Sequence, residues 1–221
     1  MSRKPGPKQA LFEQLATIAR ALGSASRLEL LDYLAQGERS VESLSTVSGL
    51  SVANTSKHLQ QLRQSGLVNA RRDGLHVYYS MSGDDVLGAV EVIRGLARSR
   101  LEEVDHLIAA YLTAKDGLEP VAAEELMERA KDGLVTVLDV RPAEEFSQGH
   151  LPGAVNVPLG ALAQELEKLP ADREVIAYCR GPWCVLSFEA VALLRDKGYR
   201  ARRLEGGLPE WRHNGHPVSS K

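Results

Sequence analysis

The stretch EVIAYCRGPWCV, residues 174–185, decides the fold of the second half of the chain and holds its only two cysteines. A strand-like apolar run leads into Cys179, and a helix-like run, 185–197, follows Cys184. A thiol between a strand and a helix N-terminus meets backbone N–H groups and the positive helix dipole, which both favour the nucleophilic thiolate. We therefore expect Cys179 to be the more reactive thiol, aided by the charge of Arg180. The alternative interpretation of Cys179 is a small, inert, buried side chain. The loop N–H groups expected to face its sulfur include those of Gly181, Trp183 and Val185.

Short apolar runs alternate with helix-like runs around this stretch. Strands are predicted at 135–140, 155–157, 175–178 and 201–204, and helices at 121–131, 162–169 and 185–197. This alternation predicts an α/β domain with a parallel sheet that helices cover on both faces.

The first half of the chain is mainly helical. The predicted order is a helix at 27–35, a short helix at 41–47, a turn at 48–51 and a helix at 52–64. Two strand-like runs, 67–72 and 75–81, then flank Asp73-Gly74, a strong hairpin signal. A short helix, a turn, a second helix and a hairpin make a winged helix-turn-helix. One long helix is predicted from Val86 to Tyr111, with the apolar seam of a coiled coil.

The helix at 52–64 has two distinct faces. Its core-facing side is predicted to be Val52, Thr55, Leu59 and Leu62. The opposite side carries amides and Lys57 and has no acidic residue. Amides read base edges and lysine binds guanine or phosphate, so this face predicts contact with duplex DNA. The predicted hairpin adds further groups suited to the DNA backbone or minor groove, namely Arg71, Arg72 and His76.

Composition fits a globular protein with two domains. Of 221 residues, 43% are apolar and 25% charged. Residues 1–80 carry ten Lys or Arg against six Asp or Glu, whereas residues 116–221 carry thirteen against seventeen, so only the first half suits a polyanion. We predict domains at 1–115 and 121–221 with a linker at 116–120. With no apolar run of roughly 20 residues and no secretory signal, we expect a cytoplasmic protein with no membrane partner.

Three motifs of the first half, ALGSASRLELL (21–31), GERSV (37–41) and TSKHL (55–59), resemble the ArsR family of bacterial transcriptional repressors. The resemblance covers about residues 8–112 and implies a homodimer, formed by the first and last helices, on an inverted-repeat operator. Many members bind metal through cysteines on the helix that matches 41–47, but this segment has none, so we expect no metal site. The implied recognition positions are Asn54, Ser56, Lys57, His58 and Gln61.

The second half resembles the rhodanese family over about residues 119–216. The resemblance rests on LDVRPAEEF (138–146), GHLPGAVNVP (149–158) and EGGLPEW (205–211). It implies that Cys179 accepts a sulfane sulfur as a persulfide and passes it to a thiol. Typical loops of the family carry Arg, Lys or Thr where Cys184 stands, so a second thiol here offers a partner for a disulfide or polysulfide bridge. Structural rather than chemical roles are expected for Asp139, Arg141, Glu145 and His150.

These expectations combine into a DNA-binding repressor that senses reactive sulfur or redox species through a Cys179 persulfide or a Cys179–Cys184 bridge. It needs no cofactor, and its partners are DNA, a second copy of the chain, a sulfane-sulfur donor and a thiol acceptor. One alternative is a sulfurtransferase enzyme that uses its winged helix for dimerisation or localisation. Another is a sensor that holds arsenite between the two thiolates.

Overall fold

The computed structural model of the protein describes residues 6–111 and 120–220 and forms two compact units, Met1–Val92 and Ile93–Lys221. The division falls inside a helix, upstream of the boundary predicted at 115. The predicted linker at 116–120 lies outside the described residues except for Pro120. Among the described helices, none combines the length and the apolar character that a membrane crossing requires.

The elements of the first unit are α1 (Pro7–Leu22), α2 (Ala25–Leu34), β1 (Arg39–Ser40), α3 (Val41–Ser48), α4 (Val52–Gln64), β2 (Val68–Asp73), β3 (His76–Met81) and the start of α5 (Asp84–Arg100). The predicted helices and hairpin of this unit follow in the predicted order, whereas the short strand β1 was not predicted. The three strands form an antiparallel sheet in the order β1-β3-β2. Leucines of α2, α3 and α4 fill the core. The helices α3 and α4, followed by the β2–β3 hairpin, make the unit a winged helix-turn-helix.

Local sequence fixes the helix-turn-helix. The Ser40 hydroxyl accepts a hydrogen bond from the N–H of Ser43 and caps α3. Gly49 ends α3 at φ 69°, a left-handed conformation that glycine adopts without steric cost. The Ser51 hydroxyl then accepts from the N–H of Asn54 and caps α4, as expected. These caps set the angle at which α4 leaves the turn.

The predicted hairpin is confirmed, with its turn one residue later than expected. Asp73 pairs with His76, so Gly74 and Leu75 form the two-residue turn. Gly74 has φ 57°, the positive value that the first position of such a turn requires. Asp73 stays in the strand, where its carboxylate accepts a hydrogen bond from Arg71.

The single long helix predicted from 86 to 111 is wrong. The structure has α5 and a separate α6 (Glu102–Tyr111). At the break, the Leu101 carbonyl accepts from the N–H of Val104, which is a tighter turn than an α-helix makes. Acidic residues in the first turn of α6 suit a new helix N-terminus, which the apolar seam alone did not reveal.

The second unit contains a four-stranded parallel sheet in the order β5-β4-β6-β7. Besides α6, its elements are α7 (Ala123–Lys131), β4 (Val135–Asp139), α8 (Ala143–Gln148), β5 (Val155–Asn156), α9 (Leu159–Leu162), β6 (Glu174–Cys179), α10 (Val185–Asp196), β7 (Ala201–Gly207) and α11 (Leu208–His213). The helix predicted at 162–169 is wrong, because that segment holds only the end of α9 and a 3-10 turn at Leu166–Lys168.

Both faces of the parallel sheet are covered, as predicted. Along β6, Val175, Ala177 and Cys179 lie in one apolar cluster, with residues of α9 and α10. The alternate residues Ile176 and Tyr178 lie in a second cluster on the other face, with residues of α7 and α11. Because β6 is an interior strand, the loop that follows Cys179 leaves from the middle of the sheet.

Candidate functional sites

The outer face of α4 is the candidate nucleic-acid surface. Asn54, Lys57 and Gln61 are exposed, whereas Ser56 and His58 are half-buried. The buried side is Thr55, Leu59 and Leu62, as predicted. Val52 was expected in the core but is 52% exposed, because it is the first residue of the helix and no element covers it there.

Two of the side chains that were predicted to contact DNA form hydrogen bonds within the protein. The Gln61 amide oxygen accepts a 2.8 Å hydrogen bond from Arg27, which also donates to backbone carbonyls at the end of α1. The Ser56 hydroxyl accepts a hydrogen bond from the Gln60 amide. Gln61 therefore keeps its amide nitrogen as the donor that a base edge can meet, while Arg27 fixes the side chain in place.

The wing carries less uncompensated positive charge than its sequence indicates. Arg71 donates to Glu38 at 2.7 Å and to Asp73 at 2.9 Å, and its guanidinium lies 5.0 Å from the centre of the Tyr78 ring. These hydrogen bonds raise the pKa of Arg71. His76 lies 3.4 Å from a Glu42 oxygen. Arg72 donates only to the Gly74 carbonyl among its described contacts, so it is the wing cation best placed to meet a phosphate.

In the second unit, the two cysteines form a reduced thiol pair. Cys179 is 0% exposed, and Cys184 is partly exposed at the start of α10. The Cys179 sulfur lies 3.3 Å from the Ser187 hydroxyl and 3.4 Å from the Cys184 carbonyl oxygen. The two cysteines are five residues apart in the chain, and Cys184 packs against the apolar cluster that contains Cys179.

The two thiols differ in ionisation in the opposite sense to that expected. Burial raises the pKa of Cys179 well above its usual value, and the neighbouring Cys184 raises it further. The pKa of Cys184 is lowered to about 7, chiefly by the hydrogen bond from Cys179. Backbone hydrogen bonds of Arg180 and Leu186 also favour its thiolate. We expected Cys179 to be the more reactive thiol; these pKa directions favour the thiolate of Cys184 instead, and which thiol reacts first stays a prediction.

The loop also departs from the predicted roles of its other residues. Arg180 was expected to aid the thiolate and an anionic donor, but its guanidinium forms a two-pronged ion pair with buried Glu145 at 2.6–3.1 Å. Its charge is therefore largely compensated, and it contributes only a minor effect at Cys184. Of the predicted N–H donors, Gly181 contacts Cys179 through its carbonyl, which accepts a 3.8 Å hydrogen bond from the thiol. Trp183 and Val185 are not among the main hydrogen-bonding groups of either sulfur.

The remaining polar residues of the resemblance tie the unit together, as expected. Arg141 and Asp139 form a fully buried ion pair at 2.6 Å, and Arg141 also donates to the Gly149 carbonyl. The His150 ring stacks on Phe146 at 3.8 Å. None of these contacts involves a cysteine sulfur.

Sequence reasoning missed three residues that shape the thiol site. Ser187, buried in the first turn of α10, faces Cys179, and its spacing of three from Cys184 is the signal that could have found it. Gly207 packs so tightly on the loop that an added Cβ would lie 2.5 Å from the Cys179 carbonyl oxygen. The Glu210 carboxylate accepts a hydrogen bond from the N–H of Gly207 at 2.8 Å.

The arrangement of potential metal ligands bears on the expectation of no metal site. Over 6–111 and 120–220, no group of three or more His, Cys, Asp or Glu side chains is arranged to hold a metal ion. His106 on α6 lies 3.9 Å from a Glu103 oxygen.

Comparison with known proteins agrees with both halves of this geometry. Residues 24–70 match the family model described as bacterial regulatory protein, arsR family, and residues 122–214 match the rhodanese-like domain. The chain is 41% identical to the HTH-type transcriptional regulator Rv0324 of Mycobacterium tuberculosis, over 99% of this chain and 96% of that protein.

Two further relatives each match one half. A sulfurtransferase of Allochromatium vinosum is 33% identical over 44% of this chain and 92% of its own length. The solved homodimeric winged helix-turn-helix DNA-binding domain of Mb0332 from Mycobacterium bovis is 40% identical, with a TM-score of 0.42, over 47% of this chain and 95% of that chain. The match to Rv0324 extends through both halves of the chain. The chain therefore belongs to the arsR family of bacterial regulatory proteins and carries a rhodanese-like domain after its winged helix.

Proposed function

We propose that this regulator is a cytoplasmic repressor whose affinity for its operator changes when reactive sulfur or an oxidant modifies the Cys179–Cys184 pair. The observation that carries the proposal is the close approach of the two cysteines at the start of α10, where the Cys179 sulfur lies 3.4 Å from the Cys184 carbonyl oxygen. The chain has no cysteine outside this loop, so thiol chemistry reaches the DNA-binding half only from here.

The DNA-binding part of the proposal rests on the outer face of α4 and the wing. Lys57 and Asn54 are exposed on α4, and Arg72 is exposed near the hairpin turn. A helix with amides and a cation suits the major groove, and a basic wing suits the adjacent backbone. Arg71 can exchange its surface carboxylate partners for a phosphate, because exposed ion pairs contribute little stability.

A homodimer is proposed from the exposed apolar side chains of two helices. Leu11, Phe12 and Leu15 are exposed on α1, and Val92 and Leu96 are exposed on α5. Contiguous exposed apolar side chains mark contact surfaces, and the proposed occupant is a second copy of the chain. A twofold dimer presents two recognition helices, which matches an inverted-repeat operator.

The coupling can be measured directly. A DNA fragment selected from a random library is titrated with the full chain before and after treatment with sodium tetrasulfide. We expect the affinity to change five- to hundredfold, which is the range of about 1–3 kcal/mol typical of coupled sites. Cys179→Ser should bind this DNA equally well before and after treatment. An unchanged affinity of the treated parent, with modification verified by mass, would refute sulfur sensing.

The similarity to a sulfurtransferase favours one competing function, an enzyme that turns over sulfane sulfur at Cys179. Turnover of thiosulfate to a thiol acceptor, measured for the parent and for Cys184→Ser, separates the two. A sensor gives single-round modification that depends on Cys184, whereas an enzyme gives multiple turnovers. Arsenite and peroxide serve as parallel arms of the DNA titration, because two adjacent thiols can bind the first and be oxidised by the second.

A further inference from the structure

The two thiols of the proposed sensor are unequally accessible to an incoming molecule. The Cys179 sulfur has no exposed surface and is enclosed by the Gly181 carbonyl, the Cys184 carbonyl and the Ser187 hydroxyl. A sulfane-sulfur donor carries a leaving group, and attack requires the nucleophile, the attacked sulfur and the leaving group to come into line. The enclosed Cys179 sulfur leaves no room for this approach.

Cys184 lies where a donor can reach it. It is the N-cap residue of the twelve-residue helix α10, and its side chain makes no capping hydrogen bond. Its chain neighbours Trp183 and Val185 are each 42% exposed, so the loop around it faces solvent. Backbone hydrogen bonds of Arg180 and Leu186 stabilise its thiolate, as does the thiol of Cys179. The position of Cys184 at the start of α10 gives a donor access to it, and these hydrogen bonds favour its thiolate.

We infer that Cys184 is the thiol that first takes sulfur from a persulfide or polysulfide donor, and that Cys179 is the buried partner that closes the bridge. This order rests on the proposed sensing function. It reverses the roles implied by the family resemblance, which makes Cys179 the first acceptor. This order also gives a reason for the cysteine at 184, because the sulfur of Cys179 is enclosed and Cys184 can meet the donor in its place.

The chemistry balances without a further oxidant. The Cys184 thiolate attacks the outer sulfur of an organic persulfide, RS–SH, breaking the S–S bond and releasing RS⁻, which takes a proton. Cys184 is then a persulfide. The Cys179 thiol, losing its proton, attacks the inner sulfur of that persulfide, and hydrosulfide leaves and is protonated to H₂S. Two protein thiols are oxidised to one disulfide, and one sulfane sulfur is reduced to sulfide.

The sequence lets the two thiols be followed separately, because trypsin cuts after Arg180. Cys179 then lies on the peptide 174–180 and Cys184 on the peptide 181–195. The full chain is treated with limiting glutathione persulfide, quenched at intervals with iodoacetamide and digested. We expect one added sulfur to appear first on peptide 181–195 and the disulfide-linked pair of peptides to follow. Sulfur appearing first on peptide 174–180 would overturn the inference.

Substitutions of each cysteine provide a second test of the order of loading. Cys179→Ser should still load sulfur at Cys184 and stop there, because no partner closes the bridge. Cys184→Ser and Cys184→Ala should load sulfur on Cys179 at least tenfold more slowly than the parent loads Cys184, and loading of both variants at the parental rate would overturn the inference. If neither variant folds, the time course of the parent decides alone. DNA affinity of the fully bridged parent is measured in parallel, so that unchanged affinity refutes sensing while the order of loading is still determined.

Discussion

The Gly207→Ala substitution tests how tightly the thiol loop depends on the strand beside it. An alanine Cβ at this position would lie 2.5 Å from the Cys179 carbonyl oxygen, 2.5 Å from the Gly181 nitrogen and 2.6 Å from the Arg180 carbonyl carbon. All three are backbone atoms, so no flexible side chain can yield. Reaching ordinary contact at 3.4 Å requires a movement of about 0.9 Å. The φ of −136° suits alanine, so the effect is steric crowding alone.

Crowding of a packed site typically costs about 1–3 kcal/mol. At about 4 °C per kcal/mol, the melting temperature of the second unit should fall by about 4–12 °C. A shift of this size in the loop should also slow bridge formation between the two thiols by about ten- to hundredfold, since misplacement by about 1 Å is that costly to a reaction between positioned groups.

The assay combines thermal unfolding with the peptide time course under persulfide. Gly160→Ala is the matched control, because an added Cβ there meets nothing within 4 Å. It should leave both the melting temperature and the bridging rate close to those of the parent. If Gly207→Ala behaved like Gly160→Ala in both measurements, the close packing of β7 on the loop would not control the thiol pair.

Three other predictions concern charge. Lys57→Ala combined with Arg72→Ala should weaken DNA binding and reduce the slope of log affinity against log salt by about two, measured by anisotropy titration. Asp139→Asn should cost about 3–5 kcal/mol in urea unfolding, because it removes the carboxylate charge of a fully buried ion pair with Arg141. Alkylation of Cys184 should accelerate as pH rises through about 7, where its thiolate forms, and Cys179→Ala should move that midpoint to higher pH by removing the hydrogen bond that favours the thiolate.

Each has a control. Lys168→Ala with Lys197→Ala removes two exposed cations of the second unit and should not change the salt slope. An equal loss of slope in both pairs would mean that net charge, not the α4 face and wing, sets the affinity. Asp196→Asn removes an exposed carboxylate and should leave stability within about 0.5 kcal/mol. An alkylation midpoint near pH 9 in the parent would contradict the stabilised thiolate.

The elements that depend on neighbouring residues in the chain could be predicted from the sequence. Ser51 caps α4 where the serine was expected, and the hairpin forms around Gly74. The short apolar run at 175–178 predicted a strand buried on both faces, and β6 is such a strand. The break at Leu101 was not foreseen, because the apolar period continues across it while the acids that follow restart the helix. Periodicity reports which face is apolar, but it does not report hydrogen-bond continuity.

The sequence predicted which residues form the thiol site, but it did not predict which of the two thiols has the lowered pKa. The position of Cys179 between strand and helix suggested an activated thiolate, since both flanking elements offer N–H groups. The folded loop instead encloses that sulfur and directs N–H groups of Arg180 and Leu186 to Cys184. Likewise, Arg180 and Arg71 were counted as positive charges, yet carboxylates distant in sequence, Glu145 and Glu38, pair with them. Burial and long-range pairing depend on tertiary structure, which one-dimensional spacing does not contain.

The pairing of β6 with β7 has a consequence for the newborn chain. Cys179 leaves the ribosome before Gly207, its partner across the two strands, and 28 residues separate them. At about 5–20 residues per second, translation takes about 1–6 seconds to supply this last strand. Until then β6 is an edge strand of the sheet, and Gly207 is not there to pack on the backbone of residues 179–181. The loop that carries the two thiols therefore gains its close packing only when the last strand of the sheet has been made.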